Sequence, residues 1–400
     1  MSEQAGAAGR ENGSALSDIL SNHLANAVVA FVFAATGPVA ILLAVGAKTG
    51  LSNAELSSWL FGAFFINGLT SLVASLIYRQ PLIFFWTIPG SVLIGTAVDN
   101  LTFPEIVGAY IMTGGALMLI GVSGLLTRLM DAIPMPIVMG MVAGVLLQFG
   151  LGWVGALTHD PLIAVPMTLA YLTVAASPAV ARVLPPIVAA LLIGIVVMLD
   201  PRQSGIDGIT FSLPAIAQPV LFMPEFRWNA AIELVVPLLI TVIFAQNSQG
   251  IVLLRHAGHQ PAVGVITAIC GAASAAVAFV GTVSTCLTGP VTGILTSSGR
   301  AENQYLGAVF VALFALAFGL LSPGITDLMR AAPDGFIATL GGLALLNVLQ
   351  GAFTASFSER FAKSALIAFM VTVSGVEIAN IGSPFWGLAA GLIASKTIDR

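Results

Sequence analysis

Two short stretches of the chain combine small, hydroxyl and aromatic residues with a proline, and this combination could bind an anion. Their key residues are Trp86, Thr87, Pro89, Gly90 and Ser91 in the first stretch and Thr285, Thr288, Gly289 and Pro290 in the second. A residue before proline avoids the helical region, whereas proline itself suits the first turn of a helix. Each stretch therefore predicts an extended segment followed by a helix that begins near the proline. The N-terminus of such a helix offers free N–H groups and partial positive charge, which bind carboxylates and other anions.

Proline kinks in two continuous helices are the alternative interpretation of these stretches. The first interpretation is favoured because both stretches break at the same place in a repeated pattern. Extended backbone at membrane depth is tolerated only when it is buried in protein or lines a cavity. We therefore expect the two extended segments to pair with each other, so that the two helix N-termini face one another.

A run of amide side chains at Gln246, Asn247 and Gln249 interrupts another apolar stretch. Amide groups are costly in lipid, so they must face a cavity or pair with the broken segments. Gln246 and Gln249 are about one helical turn apart, which predicts that they share a face. Hydrogen bonding between helices is the alternative use of these groups, and it does not conflict with a role in binding.

The first apolar stretch carries Phe33 and Thr36 at the place that matches this amide run. The sequence Thr36-Gly37-Pro38 is less polar, and it predicts a kink in the first helix. Phe33 and Trp86 are candidates for an aromatic wall of the site, although packing is the commoner use of aromatic residues in so apolar a chain. Thr36 and Phe33 therefore complete the predicted set of binding residues.

Few titratable groups could carry a proton near this site. Glu233 and Glu377 are the candidates, but Glu233 lies several helical turns before Gln246, roughly 20 Å away. The His256 and His259 pair lacks a third ligand, so no metal site is predicted. No catalytic or nucleotide-binding motif is found, and the sequence predicts neither an enzyme nor a cofactor.

The composition places most of the chain in a membrane. The sequence has 400 residues, of which 58% are hydrophobic and only 8% are charged, whereas soluble domains carry roughly 25% charged residues. No cluster of Lys and Arg predicts nucleic-acid binding. The lipid bilayer is therefore the expected partner of most of the surface.

A repeated pattern divides the chain into two halves. Residues 126–134 recur as residues 325–333, and the two proline stretches correspond at nearly the same shift. Paired, proline-interrupted segments in a duplicated membrane chain are typical of secondary transporters, and they indicate the binding site. The divisions that we predict are a disordered tail (1–22), a first repeat (23–199), a linker (200–227) and a second repeat (228–396).

Each repeat holds seven predicted segments, which makes fourteen in an all-α membrane protein. The third segment of each repeat is predicted to be a short strand and a half-helix. An odd number of segments inserts the second repeat upside down, so the repeats are inverted.

The positive charges support a topology with both termini in the cytoplasm, because basic residues are enriched on the inner side. The inner side would carry Arg10, Arg79, Arg128, Arg182, Arg255, Arg300, Arg360, Lys363, Lys396 and Arg400. The outer side would carry Lys48, Arg202, Arg227 and Arg330.

Several stretches resemble the benzoate/proton symporter (BenE) family, and the resemblance extends from about residue 25 to residue 396. The matching stretches are 58–60, 78–81, 86–90, 143–150, 246–255 and 374–388. The resemblance implies uptake of benzoate or another aromatic carboxylate together with a proton, across the inner (cytoplasmic) membrane. It also implies kinship with nucleobase and sulfate carriers, in which a core domain moves against a gate domain.

By that analogy the core comprises residues 23–125 and 228–321, and the gate comprises residues 134–199 and 334–396. A carrier of the same fold for a nucleobase or an inorganic anion is the alternative, and a channel is a further one. Proteins of the related fold often dimerise, so a homodimer is expected by analogy alone.

Overall fold

Helices dominate the computed structural model, as the composition predicts. The structure describes residues 23–126, 133–181, 184–198, 216–297, 300–330, 332–357, 360–379 and 381–399. The predicted disordered tail and the first part of the predicted linker lie outside the described residues.

The helices and strands follow one another in two series. The first series is α1 (residues 23–35), α2 (Gly37–Lys48), α3 (Asn53–Tyr78), β1 (Phe84–Trp86), α4 (Ile88–Ala97), α5 (Phe103–Ser123), α6 (Met135–His159), α7 (Pro161–Ala175) and α8 (Pro186–Met198). The second series is α9 (Trp228–His256), α10 (Val263–Ala278), β2 (Thr285–Leu287), α11 (Gly289–Thr296), α12 (Gln304–Leu320), α13 (Ser322–Arg330), α14 (Asp334–Phe357), α15 (Ala362–Val373) and α16 (Ser383–Thr397).

Seven helical stretches among the described residues are long and apolar enough to cross a bilayer. Further apolar helices, α4, α7, α8, α10 and α15, are only 10–17 residues long. The chain is therefore a mostly helical, multi-pass membrane protein. The count of fourteen segments stays a prediction.

The first helix bends where the sequence predicts a kink. Thr36 leaves the helical conformation, with φ −105° and ψ −89°, between α1 and α2. Its hydroxyl donates to the carbonyl oxygen of Val32 at 2.8 Å, and Pro38 cannot donate the backbone hydrogen bond that would continue the helix. The kink is confirmed, and the Thr36 hydroxyl is already used within the helix.

The two extended segments pair as the sequence predicts. Strands β1 and β2 are antiparallel, with Phe85 opposite Cys286. The pairing continues past the strands, because Thr87 N donates to Ser284 O at 3.0 Å and Thr288 N donates to Ile83 O at 2.9 Å. The starts of the half-helices α4 and α11 are thus tied together by backbone hydrogen bonds.

Small residues allow α5 and α10 to approach closely. A Cβ placed at Gly114 would lie 2.7 Å from the carbonyl oxygen of Gly271, and one at Gly121 would lie 2.6 Å from Gly264 O. Such close backbone contact is the usual way in which helices associate in lipid. Helix α10, which this packing holds against α5, also contacts β2 through the hydrogen bond from Thr285 N to Ser274 Oγ.

The last part of the predicted linker is an extended strap over the ends of helices. Ala217 N donates to Leu320 O at 2.8 Å, and Phe222 N donates to Phe279 O at 2.8 Å. Arg227 forms a 3.0 Å ion pair with Glu105 at the start of α5. Residues 216–227 are therefore held by α12, the end of α10 and α5 rather than hanging free between the repeats.

Candidate anion-binding site

The N-termini of α4 and α11, next to the paired strands, differ in whether nearby side chains accept hydrogen bonds from their free N–H groups. Thr87 caps α4, since its Oγ1 accepts a hydrogen bond from Gly90 N at 3.2 Å. Ser91 is also occupied, because its Oγ donates to Thr87 O at 3.1 Å. Pro89 has no N–H. The N-terminus of α4 therefore keeps little free donor capacity.

The N-terminus of α11 is open. Among the described residues, no side chain caps it. The hydroxyls of Thr288 and Thr292 are buried and have no hydrogen-bond partner among the described residues. Pro290 occupies the first turn, and Gly289 leaves room for the side chain of Gln249, whose Cδ would lie 2.6 Å from an added Cβ. The N-terminus of α11 therefore has both partial positive charge and unused hydroxyls with which to receive an anion.

Strand β2 is held at its outer edge by side chains. Asn247 Oδ1 accepts from Leu287 N at 2.7 Å, and Ser274 Oγ accepts from Thr285 N at 2.9 Å. The Thr285 hydroxyl donates to Asn67 Oδ1 at 2.8 Å. These bonds satisfy backbone that has no other partner at membrane depth. Thr285 and the oxygen of Asn247 are thus used in holding the strand.

Strand β1 is held in the same manner by Ser71 of α3. Its Oγ accepts from Phe84 N at 2.8 Å and lies 3.1 Å from Phe84 O. Sequence reasoning missed Ser71, Asn67 and Ser274, although a small polar residue within an apolar helix is the signal that could have found them.

Gln246 and Gln249 occupy different environments, although the sequence predicts a shared face. A π-helical stretch, Thr241–Asn247, ends between them, and such stretches often occur at functional sites. Gln246 is 5% exposed and its side-chain amide has no hydrogen-bond partner among the described residues, whereas Gln249 is exposed. The amide of Gln246 is therefore not used in holding the fold.

Trp86, the last residue of β1, belongs to an aromatic cluster with Phe64 and Phe85. Its ring lies 5.0 Å from that of Phe64 and 5.7 Å from that of Phe85. Its Nε1 is buried without a partner among the described residues. Phe33 is half-buried against the same apolar core.

Unsatisfied buried polar atoms are concentrated around the paired strands. Native proteins pair most buried polar groups, so these atoms form a set of donors and acceptors that the described protein groups leave available. The atoms are Asn67 Nδ2, Trp86 Nε1, Asn247 Nδ2, Ser284 Oγ, Thr288 Oγ1 and Thr292 Oγ1.

A cavity of about 560 Å³ lies beside this region, between α2 and α4 on one side and α6, α14, α15 and the start of α16 on the other. None of the binding residues predicted from the sequence is among the described residues that line it. Its wall on α4 begins at Val92, which directly follows Ser91. Its polar lining includes Lys48, Asp99 and Gln148. No sequence pattern indicates this cavity, because it depends on how distant helices pack.

Glu233 is buried away from the strands. Its Oε1 accepts from Asn100 Nδ2 at 3.0 Å, and its Oε2 has no partner among the described residues. A Cβ placed at Gly382, next to the first residue of α16, would lie 3.3 Å from Oε1. Glu377 is exposed on the loop before α16. Glu233, a residue of α9, thus faces the start of α16, and the structure does not bring it to Gln246.

Solved structures of membrane transporters share this fold. The chain aligns with "The overall structure of SLC26A9" with a TM-score of 0.67 and 11% identity, covering 95% of this chain and 65% of that one. It aligns with "The transmembrane domain of a cyanobacterium bicarbonate transporter BicA" with a TM-score of 0.61 and 16% identity, covering 94% of this chain and 97% of that one. At these identities the likeness concerns the fold alone.

Two curated proteins are related in sequence over most of their length. The inner membrane protein YdcO of Escherichia coli (strain K12) is 31% identical over 358 residues, which cover 88% of this chain and 89% of YdcO. The benzoate membrane transport protein of Acinetobacter baylyi (strain ATCC 33305 / BD413 / ADP1) is 28% identical over 374 residues, 92% of each chain. The family model of the benzoate membrane transport protein matches residues 17–397. The chain is thus a membrane transporter rather than an enzyme, and it belongs to the benzoate membrane transport protein family, BenE.

Proposed function

We propose that this protein is a secondary active transporter that takes up benzoate or a similar aromatic carboxylate with a proton, by alternating access. The observation that carries the proposal is the open N-terminus of α11, surrounded by unused buried polar atoms where the two broken segments pair. Membership of the BenE family supports a carboxylate as the anion.

The carboxylate would bind at the N-terminus of α11. Its oxygens would accept hydrogen bonds from the free backbone N–H groups and from the hydroxyls of Thr288 and Thr292. The Nδ2 group of Asn247, which has no partner among the described residues, would be a further donor. Gln246 would fix the orientation of the bound molecule.

The remaining predicted residues would shape the site around this anion. Trp86 and Phe33 would form its aromatic wall, and the capped N-terminus of α4 would contribute its positive end rather than free donors. Gln249 would cover the first turn of α11. The full set proposed for binding is Phe33, Thr36, Trp86, Thr87, Pro89, Gly90, Ser91, Gln246, Asn247, Gln249, Thr285, Thr288, Gly289 and Pro290.

Alternating access would come from movement of the proposed core, residues 23–125 and 228–321, against the proposed gate, residues 134–199 and 334–396. The cavity lies between elements of these two groups, since α2 and α4 face α6, α14 and α15 across it. We propose that it is the route by which one side of the membrane reaches the site, with both termini in the cytoplasm.

Glu233 and Glu377 are the proposed proton carriers. Glu233 is buried and keeps one oxygen without a partner among the described residues. Because it lies against the start of α16 rather than beside Gln246, its protonation would act on the contact between core and gate. Coupling would then be conformational, with no direct contact between proton site and substrate.

Uptake of radiolabelled benzoate into proteoliposomes, with and without an inward proton gradient, tests the proposal. The gradient is expected to stimulate uptake, and Gln246→Ala is expected to abolish it without loss of the protein from the membrane. Gln350→Ala is the matched control, because Gln350 is an exposed amide on α14. Unchanged uptake by Gln246→Ala would refute the site assignment.

An inorganic-anion carrier of the same fold is the second candidate. One solved structure with this fold is titled a bicarbonate transporter and another an anion transporter, and amides and hydroxyls bind any oxyanion. Competition by bicarbonate, sulfate or uracil, but not by benzoate, would favour such a carrier or a nucleobase carrier. Saturable uptake with counterflow would argue against a channel.

A further inference from the structure

We infer that the cavity between α4 and α6 receives the part of the aromatic ring that lies farthest from the carboxylate of a singly charged organic anion, and that Gly95 and Gly152 set how large a ring system it accepts. The inference rests on the proposed function and deepens it. It adds residues that lie outside the paired strands and assigns a limit on substrate size and charge.

Much of the cavity lining is apolar. Its apolar side chains include those of Val45, Val92, Val145, Phe149 and Ile337. The volume of about 560 Å³ falls within the range of roughly 300–1,000 Å³ that is common for small-molecule sites. Such a lining suits an aromatic ring and offers little to a small hydrated ion.

Two glycines that line the cavity, Gly95 and Gly152, have few or no atoms close to the place where a side chain would begin. A Cβ placed at Gly152 would have no atom within 4 Å, and one at Gly95 would approach only Val45, at 3.6 Å. Gly144 differs, because its added Cβ would lie 2.8 Å from Thr372 Cβ. Glycine weakens a helix, and Gly144 is explained by packing. Gly95 and Gly152 are instead explained by the room they leave.

The charged residues of the cavity stand at helix ends. Lys48 ends α2, Asp99 follows α4, and Asp334 begins α14. Two acidic groups and one basic group give these residues together a net negative charge. Asp99 lies beyond the end of α4 that is opposite to the broken segment, so a bound anion would point its carboxylate away from Asp99, toward Val92 and the broken segments. A second carboxylate on the far side of the ring would meet Asp99 and Asp334 and be repelled.

The substrate class that follows is an aromatic monocarboxylate with one ring or two fused rings. A fused second ring would need the space at Gly95 and Gly152, and an aromatic dicarboxylate would place charge beside the acidic groups. Size and charge are thus selected by the cavity, whereas the carboxylate is held elsewhere.

Thiol labelling of Gly152→Cys tests the inference directly. The reagent is benzyl methanethiosulfonate, applied to the purified protein with and without benzoate. The native cysteines Cys270 and Cys286 are both buried, so background labelling should be low. Gly155→Cys is the matched control, because an added Cβ there also has no atom within 4 Å, and Gly155 does not line the cavity. Benzoate is expected to slow labelling at residue 152 by about tenfold, the effect of ligand at roughly ten times its Kd, and not at residue 155.

Uptake measurements separate size selection from a general loss of folding. Gly152→Leu is expected to raise the KM for benzoate about tenfold, a change of roughly 1.4 kcal/mol. 2-Naphthoate should inhibit benzoate uptake by the wild type and should no longer inhibit uptake by this variant. Gly155→Leu should leave both unchanged. Asp334→Asn should let terephthalate compete with benzoate, which the wild type should not allow.

The outcomes distinguish this inference from the proposed function. Benzoate uptake by the wild type, with equal labelling of Gly152→Cys in the presence and absence of benzoate, would overturn the inference and leave the proposed function standing. Absence of uptake by the wild type would refute the proposed function. In that case, protection of residue 152 by benzoate would still support the binding site, and lack of protection would refute it.

Discussion

Replacing Thr288 by valine should weaken substrate binding while leaving the empty protein as stable as before, or more stable. Thr288 is 5% exposed and its hydroxyl has no partner among the described residues. A buried hydroxyl without a partner costs about 1–3 kcal/mol. Valine has nearly the same shape, so Thr288→Val removes this cost and opens no void.

The effect on binding should have the opposite sign. A hydrogen bond from this hydroxyl to a bound carboxylate would contribute roughly 1.5–3 kcal/mol, because one partner is charged. Its loss corresponds to about a 10- to 150-fold weaker affinity. Thr288→Val should therefore raise the KM for benzoate by this factor.

The measurement is thermal unfolding in detergent without ligand, together with benzoate uptake in proteoliposomes. Thr285→Val is the matched control, because its hydroxyl donates to Asn67 Oδ1 at 2.8 Å and its removal should destabilise the protein. If Thr288→Val lowers the unfolding temperature as much as Thr285→Val, or leaves uptake unchanged, the hydroxyl is structural and the reasoning is wrong.

Three further predictions follow from named contacts. Glu233→Gln mimics the protonated side chain and should remove the stimulation of uptake by a proton gradient while equilibrium binding of benzoate persists; stimulation equal to that of the wild type would contradict the coupling role. Ser71→Ala removes the hydrogen bond that Phe84 N donates to the hydroxyl and should cost about 1–3 kcal/mol of stability, seen as faster hydrogen exchange in β1, whereas Ser123→Ala, at an exposed position, should not. Gly271→Leu places a Cβ 2.6 Å from Gly114 O and should yield aggregated protein on size exclusion, whereas Gly115→Leu, with open space around it, should remain monodisperse; a monodisperse Gly271→Leu would show that α5 and α10 can separate.

Local chemistry explains which parts of the fold could be predicted. Pro89 and Pro290 fix the starts of α4 and α11 because proline restricts its own backbone and that of its neighbour. The kink after Thr36 follows from the same rule. These features depend only on residues next to one another in the chain, so the sequence alone contains them.

Features that depend on distant residues could not be predicted. The sequence marks Asn247 as polar, but only the fold places its oxygen on Leu287 N. The difference between the capped α4 and the open α11 arises because the Thr87 hydroxyl reaches Gly90 N, while the Thr288 hydroxyl has no partner in the part of the chain that the structure describes. The cavity requires six separate helical segments to meet, and no short pattern records its glycines.

The pairing of β1 with β2 limits how a substrate can reach the site. The bonds from Thr87 N to Ser284 O and from Thr288 N to Ile83 O join the two half-helices at the place where the anion is proposed to bind. Separating α4 from α11 would break these bonds in a place where water cannot replace them, at about 4–6 kcal/mol for each bond in an apolar medium. We therefore propose that the site does not open by the half-helices moving apart. Access would instead come from α6 and α14 moving away from α4 on the other side of the cavity, and substitution of the glycines that widen that cavity would then act on transport.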